Sequence, residues 1–186
     1  MVPERLADAK GPVMRRMLKN ALAGAMHRLK DHAELVGLAN VDEFTFRSLV
    51  LAEIMRRDTN ARCQTEWHRF DLLVQRQTRN AIIEFKFYLN RKTVEVDGTS
   101  GDWKGGAGKK NEKEFWACVR KLHQDRNPRI HNRYLVLVYD MEYPKRSPCS
   151  FVASYDGLAP SREIKSVTRI THCLDTRLAC KLIEVA

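Results

Sequence analysis

Hydrophobic spacing divides the chain into a helical first third, a strand-rich middle and a mixed remainder. After Gly11-Pro12, apolar residues recur at Val13, Met14, Met17, Leu18, Ala21, Leu22, Ala25, Met26 and Leu29. That is close to the helical period, and a proline at the first helical position is already set for the helix. Gly37 is the expected stop. A second helix is predicted from about Asp42 to Arg57, with Phe44, Phe46, Leu49, Val50 and Ile54 on its apolar side and Asp58-Thr59-Asn60 breaking it. The period then shortens to that of strands. Arg62 to His68, Arg69 to Gln75 and Asn80 to Tyr88 read as three successive strands, with Gln77-Thr78-Arg79-Asn80 as a polar turn between the last two.

Asp97 to Lys110 holds five glycines and three lysines, which predicts a mobile loop. Asn111-Glu112-Lys113-Glu114 then suits a capped helix start, because Asn and the Glu three residues later can satisfy free amide donors reciprocally. That helix carries Phe115, Cys118, Val119 and Leu122 inward and ends before Asn127-Pro128, since a residue preceding proline avoids the helical region. Tyr134 to Tyr139 is a run of apolar and aromatic residues that suits a buried strand. Beyond the Pro144 to Pro148 turn, Ser150 to Ser154 and Ala179 to Val185 are strand-like. No internal repeat is visible, and the last 40 residues carry no interpretable motif.

The order helix, helix, three strands, helix, strand predicts an α/β layered domain, a small mixed sheet flanked by helices. A purely parallel, doubly wound sheet is excluded because the link between Val74 and Ala81 is too short for a helical crossover, so those strands form a hairpin. One domain is expected: residues 1–40 as an N-terminal helical extension, 41–140 as the core and 141–186 as a C-terminal β extension.

Composition narrows the partners. The chain has 33 basic against 23 acidic residues and a formal charge of +10 among 186 residues. Such an excess favours a polyanion, with nucleic acid ahead of an anionic membrane surface. The apolar runs fall far short of the ~20 residues that span a bilayer, and Met1 to Lys10 lacks the apolar centre of a signal peptide. Five cysteines (Cys63, Cys118, Cys149, Cys173, Cys180) are an odd number without a CxxC pair, which speaks against a disulfide framework or structural zinc and for a reducing, cytoplasmic setting.

The chemistry concentrates in two short apolar runs, Arg69-Phe70-Asp71-Leu72-Leu73-Val74 and Ile82-Ile83-Glu84-Phe85-Lys86-Phe87. Ionisable groups within such strands are costly to bury unless they meet one another or a metal. Strand alternation sends Glu84 and Lys86 to one face, with Ile83, Phe85 and Phe87 on the other. A suitable hairpin register brings Asp71 beside Glu84. Two adjacent carboxylates repel unless a proton or cation lies between them, and hard oxygen donors in a half-open site suit Mg²⁺ or Mn²⁺. Lys86 would then hold an attacking water or the phosphate oxygens of a transition state. The plain structural alternative is an edge-strand ion pair between Asp71 and Lys86, with Glu84 facing solvent.

These residues resemble the PD-(D/E)XK nuclease superfamily, whose signature is an Asp early in one hairpin strand and Glu-x-Lys in the next. Here Asp71, twelve intervening residues and Glu84-Phe85-Lys86 carry the match, with Phe70 in place of the nominal proline. The order of elements from about Val41 to Tyr139 resembles that family's core as well. The resemblance implies a restriction-endonuclease-like fold, with Asp71, Glu84 and the Phe85 carbonyl as metal ligands and Lys86 as the water-activating or charge-stabilising group. It also implies one further glutamate on the helix before the hairpin. Glu43, in the first turn, matches the family spacing better than Glu53; a favourable charge at a helix N-terminus is its ordinary alternative.

Gly101 to Lys110 superficially suggests a phosphate loop but has Trp103 and Lys110 where Gly and Ser or Thr are required. A charged flap is the better expectation, with Lys104, Lys109 and Lys110 contacting phosphates and Trp103 stacking on a base, against the alternative of a solvated surface loop. The six histidines show no metal or nucleophile pairing. Arg15-Arg16, Arg56-Arg57 and Lys145-Arg146 spread charge widely, as backbone binding requires. The expected function is therefore a Mg²⁺-dependent endodeoxyribonuclease, with Mn²⁺ as a substitute ion, DNA as substrate and RNA left open. A homodimer is one expected arrangement, since two strand breaks need two sites or sequential action. The alternative is a non-catalytic nucleic-acid- or protein-binding module on the same fold.

Overall fold

The computed structural model describes residues 11–89, 91–94, 97–104, 109–140, 155, 157–170 and 178–186. Helix α1 (Gly11–Val36) and helix α2 (Glu43–Arg57) are separated by a single 3-10 turn at Leu38–Asn40. Gly37 takes φ +83, a left-handed conformation that glycine adopts without a Cβ clash, and this ends α1. Asp42 starts α2: its Oδ1 accepts from the Thr45 N–H at 2.7 Å and from the Thr45 hydroxyl at 2.8 Å. The apolar stripe of α1 from Met14 to Leu29 is buried except for Met17, which is half-buried, while Val13 lies outside it at 43% exposed. On α2 the stripe is narrower than expected. Phe46, Val50 and Ile54 are buried, but Phe44 is 65% exposed and lies under the Arg47 guanidinium, 4.7 Å from its ring centre.

Three antiparallel strands follow: β1 (Ala61–Trp67), β2 (Phe70–Arg76) and β3 (Arg79–Tyr88). Two-residue links join them, and His68 and Gln77 take the positive φ that such tight reversals require. After a small separate hairpin, β4 (Arg91–Val94) with β5 (Ser100–Lys104), helix α3 (Lys109–His123) crosses over to β6 (Asn132–Asp140). Strand β6 lies parallel to β3, and β7 (Ile164–Ile170) and β8 (Leu178–Val185) complete a six-stranded mixed sheet ordered β1-β2-β3-β6-β8-β7.

Each face of the sheet has its own core. Helices α1 and α2 cover Leu72, Val74, Ile83, Phe85, Val136 and Leu182. Helix α3 and Tyr155 cover Ile82, Tyr88, Leu135, Leu137 and Ile183. Strand β6 is therefore buried on both sides, which explains why Tyr134 to Tyr139 reads as an unbroken apolar run rather than an alternating one. Each such Leu or Val contributes roughly 1.5–3 kcal/mol relative to exposure. A charge placed at Val136, buried between β3 and β8, would disrupt this layer.

Several expectations need correction. The stretch from Asp97 to Lys110 is not one loop: Ser100–Lys104 forms β5 and α3 begins at Lys109. Asp97 makes this possible by accepting the Thr99 N–H and hydroxyl at 2.9 and 2.7 Å, while Gly98 turns the chain with φ +81. Asn111 lies inside α3 rather than capping it, and its carbonyl accepts the Tyr88 hydroxyl at 3.0 Å. The C-terminal region is no appendage, because β8 pairs along β6 within the main sheet. The α1 segment is likewise part of the core. The expected strand Ser150 to Ser154 lies outside the described residues. Strand β7 was not anticipated, since Lys165, Ser166, Thr168 and Arg169 give it no apolar alternation.

Candidate functional site

The backbone ladder between β2 and β3 ends at Leu72 opposite Ile83, and the same register places Asp71 opposite Glu84. Beyond the ladder, the Asp71 carboxylate takes over as acceptor: its Oδ2 receives the Phe85 N–H at 2.8 Å. In an extended strand a residue's N–H and C=O point to the same side, so the Phe85 carbonyl also faces the Asp71 end of β2. The short turn at Gln77 and Thr78 thus brings Asp71 to the Glu84-x-Lys86 segment by local geometry alone.

Glu84 is only 3% exposed and faces α3. The Lys121 ammonium lies 2.5 Å from its Oε1, and the Cys118 thiol is 3.8 Å from its Oε2. Lys121 also donates to the Arg69 carbonyl at 2.7 Å and stands over the Phe70 ring. From the other layer, Arg47 of α2 reaches across the end of the sheet. Its Nη1 donates to Asp71 Oδ1 at 3.1 Å, and its Nη2 lies 2.7 Å from Glu66 Oε1. Glu66 occupies the β1 position opposite Asp71, with φ +51, an unusual conformation for a residue with a side chain. A single guanidinium fork therefore joins two carboxylates that would otherwise repel across the strands.

Glu43 opens α2 one turn before Arg47 and belongs to the same electrostatic neighbourhood. Burial pushes its carboxyl up to about 7; Asp71 and Glu84 add to the rise, while Lys86 and Arg47 oppose it. Glu84 is raised too, again chiefly by burial and further by Asp71, against the pull of Lys121 and Lys86. For Lys86 burial acts downward, yet the combined charges of Cys118, Glu43, Asp71 and Glu84 carry its pKa upward. The Cys118 thiol is pushed up to about 11 by burial, with Lys86 pulling the other way. Glu43, Asp71, Glu84 and Lys86 thus share one partly desolvated space, and burial is the largest influence on Glu43, Glu84 and Lys86 alike.

Glu53 went to a different place. Its side chain is 2% exposed and meets Arg28 at 3.0 Å, Arg56 at 2.8 Å and Arg57 at 2.9 Å, forming a clasp between α1 and α2. Hydrogen bonding from Arg56, helped by Arg57, holds its carboxyl below the usual range despite burial. The other sequence candidates lie off the main sheet. Trp103 and Lys104 are on β5, Lys109 opens α3 and Lys110 is exposed at its second position. Trp67 stacks on Phe70 and serves packing.

Four contributors escaped sequence reasoning: Arg47, Glu66, Cys118 and Lys121. Arg47 was signalled by its one-turn spacing from Glu43, and Lys121 by its three-residue spacing from Cys118 on the same face of α3. Glu66 had no signal short of the strand register. Among the described residues, no group of three or more His, Cys, Asp or Glu side chains stands arranged to hold a metal ion. Instead Asp71 is turned to Arg47 and the Phe85 N–H, and Glu84 to Lys121. Among the described residues, no helix is long and apolar enough to cross a membrane. Compared with known proteins, the chain matches no family model, no curated protein and no solved structure.

Proposed function

We propose that this chain is a metal-dependent nuclease that hydrolyses DNA phosphodiester bonds at the cluster of Asp71, Glu84, Lys86 and Glu43. The observation that carries this reading is the convergence of three carboxylates and one lysine at the end of the β2–β3 ladder, with Glu43 raised to about 7. Desolvated carboxyls such as Glu43 and Glu84, both raised by burial and by the nearby Asp71 charge, form a site that a divalent cation would relieve. The order of α2, three antiparallel strands, α3 and the parallel strand β6 supports a restriction-endonuclease-like core.

The donor set fits a hard cation: Asp71, Glu84 and the Phe85 carbonyl supply oxygen only, as Mg²⁺ and Mn²⁺ prefer. The chemistry such an ion supplies when bound is polarisation of the phosphate and access to hydroxide near neutral pH. The chain's own groups do the rest. Lys86, held charged by its acidic neighbours, stabilises the oxygens that gain charge as the phosphodiester is attacked. Glu43, titrating near neutrality, can exchange a proton with water at the site. Arg47 and Lys121 hold Asp71 and Glu84 in place, and Asp71, Glu84 and the Phe85 carbonyl are the groups that would hold the ion.

Those same two ion pairs favour a second reading, a binding module in which the carboxylates are structural partners of Arg47 and Lys121. Nicking of supercoiled plasmid separates the two. The nuclease nicks with Mg²⁺ or Mn²⁺, stops with EDTA, and loses at least about a hundredfold in rate in Asp71→Ala and in Lys86→Ala, in line with the loss of a charge-stabilising group. DNA binding by both variants stays near wild type. Cleavage in EDTA, or full activity in both variants, would overturn the proposal.

A further inference from the structure

The far end of β2 presents a second charged surface that the acid cluster does not use. Arg76 ends the strand five residues after Asp71, about 17 Å away at the usual rise per strand residue. Around it run three adjoining grooves of about 480, 360 and 190 Å³. The first two share Asp58 and Arg76 as a common wall, and Arg76 also lines the third. Five arginines face this surface: Arg16 from α1, Arg57 from α2, Arg62 from β1, Arg76 from β2 and Arg79 from β3. The one acid among the lining residues is Asp58, and it is already committed. Arg76 is hydrogen-bonded to it, holding the Asp58 carboxyl below the usual range with help from the backbone N–H of Asn60. Arg16 and Arg62 are exposed, and neither makes an ion pair among the described residues.

We infer that this arginine-lined surface binds the phosphodiester backbone of a nucleic acid strand, separately from the acid cluster. Guanidinium groups match phosphate oxygens bidentately and keep their charge at any physiological pH. The carboxamides of Asn60 and Gln75, set between Arg62 and Arg76, add neutral donors of the kind that contact phosphate and sugar. The shape excludes the smaller alternative. A lone phosphate or nucleotide calls for an enclosed pocket, whereas these grooves are open, continuous and wider than one anion needs. Most of the lining residues are polar or charged. The apolar ones, Val13, Met14 and Met17, gather at the α1 margin of the second and third grooves, too few for the apolar face that a lipid surface requires. With contacts to the backbone alone, binding there is independent of sequence and strongly dependent on salt.

Fluorescence anisotropy of a labelled 30-base-pair duplex in EDTA tests this on the full chain, without any contribution from cleavage. Failure here is therefore distinct from failure of the nuclease reading. Arg16→Glu and Arg62→Glu change exposed side chains only, and thermal melts confirm that the variants fold. The double variant is expected to bind at least about tenfold more weakly, with a salt slope lower by about 2, as the loss of two phosphate contacts requires. Arg126→Glu, a charge-matched change at an exposed arginine outside the grooves, is expected to bind within about twofold of wild type. A double variant with wild-type affinity and slope contradicts the inference. So does a double variant that loses binding to phosphatidylserine vesicles but keeps its hold on DNA.

Discussion

Helix α2 carries two sheltered glutamates ten residues apart, and their surroundings have opposite effects. Glu53 is ringed by three arginines and its pKa falls; Glu43 shares its space with Asp71, Glu84 and Lys86 and its pKa rises to about 7. Burial is common to both, so burial alone does not distinguish a structural carboxylate from a chemical one. What differs is the balance of partners. Around Glu53 cations outnumber the single anion and every oxygen has a donor. Around Glu43 burial outweighs the pull of Lys86 and Arg47, which Asp71 and Glu84 partly cancel, so the carboxyl is left raised.

The largest effect separating the two should come from Glu53→Ala. Removing the shared partner of a buried ion cluster typically costs about 3–5 kcal/mol, and here about 2–3 is expected because the three arginine side chains reach water and can rehydrate. Glu43→Ala should cost less than about 1 kcal/mol, since it removes a carboxyl whose ionisation burial already disfavours. Urea unfolding at neutral pH measures both, and equal losses would erase the distinction.

A pH scan of metal-free protein sharpens the same contrast. The folded pKa of Glu43 lies above its unfolded value of 4.5, so the folded state holds the proton more tightly. Stability from this group is present below about pH 4.5 and falls as pH rises towards about 7, by on the order of 2 kcal/mol after allowing for solvent screening. Glu53 works the other way. Its folded pKa is depressed, so its contribution is present above the unfolded value and is lost on acidification below it. Melting temperatures between pH 4.5 and 7.5 should therefore decline in wild type and decline less steeply in Glu43→Gln, the remainder coming from the likewise raised Glu84. An identical decline in that variant would assign it to another group.

The smallest effect probes how tightly the Glu53 clasp is built. A Cβ added at Gly24 would lie 2.4 Å from Glu53 Oε2 and 2.7 Å from its Cδ. The carboxylate cannot swing away without leaving its arginines, so Gly24→Ala should cost about 1–2 kcal/mol although alanine is the better helix former. A neutral or stabilising result would mean that the clasp adjusts freely.

Much of this was legible beforehand because it depends on local rules. The polar turn read at Gln77 to Asn80, which the structure tightens to a two-residue link at Gln77 and Thr78, set the hairpin, and strand alternation then put Glu84 and Lys86 on one face. The helix-stop role of Gly37 follows from backbone sterics in the same way, while the cap at Asp42 emerges only from the structure. What escaped notice depended on distant pairing. Strand β7 is an edge strand whose mixed residues carry no period, and it exists because β8 offers it a partner. Arg47 and Lys121 come from two different helices on opposite faces of the sheet, and nothing in their own segments shows that they end at the same carboxylate pair. The glycine-rich stretch misled through composition: Asp97 and Gly98 make one tight turn, after which Ser100 to Lys104 is free to pair.

The central claim is that the carboxylates around Asp71 form the reacting centre while the more deeply buried Glu53 does not. Initial rates of plasmid nicking in Mg²⁺, measured side by side for wild type, Glu43→Gln and Glu53→Gln at a temperature where all three are folded, test it most directly. The account predicts that wild type cleaves, that Glu43→Gln loses about tenfold or more, as expected for a positioned proton-exchanging group, and that Glu53→Gln stays within about twofold. No cleavage by wild type, or a loss confined to Glu53→Gln, would contradict it.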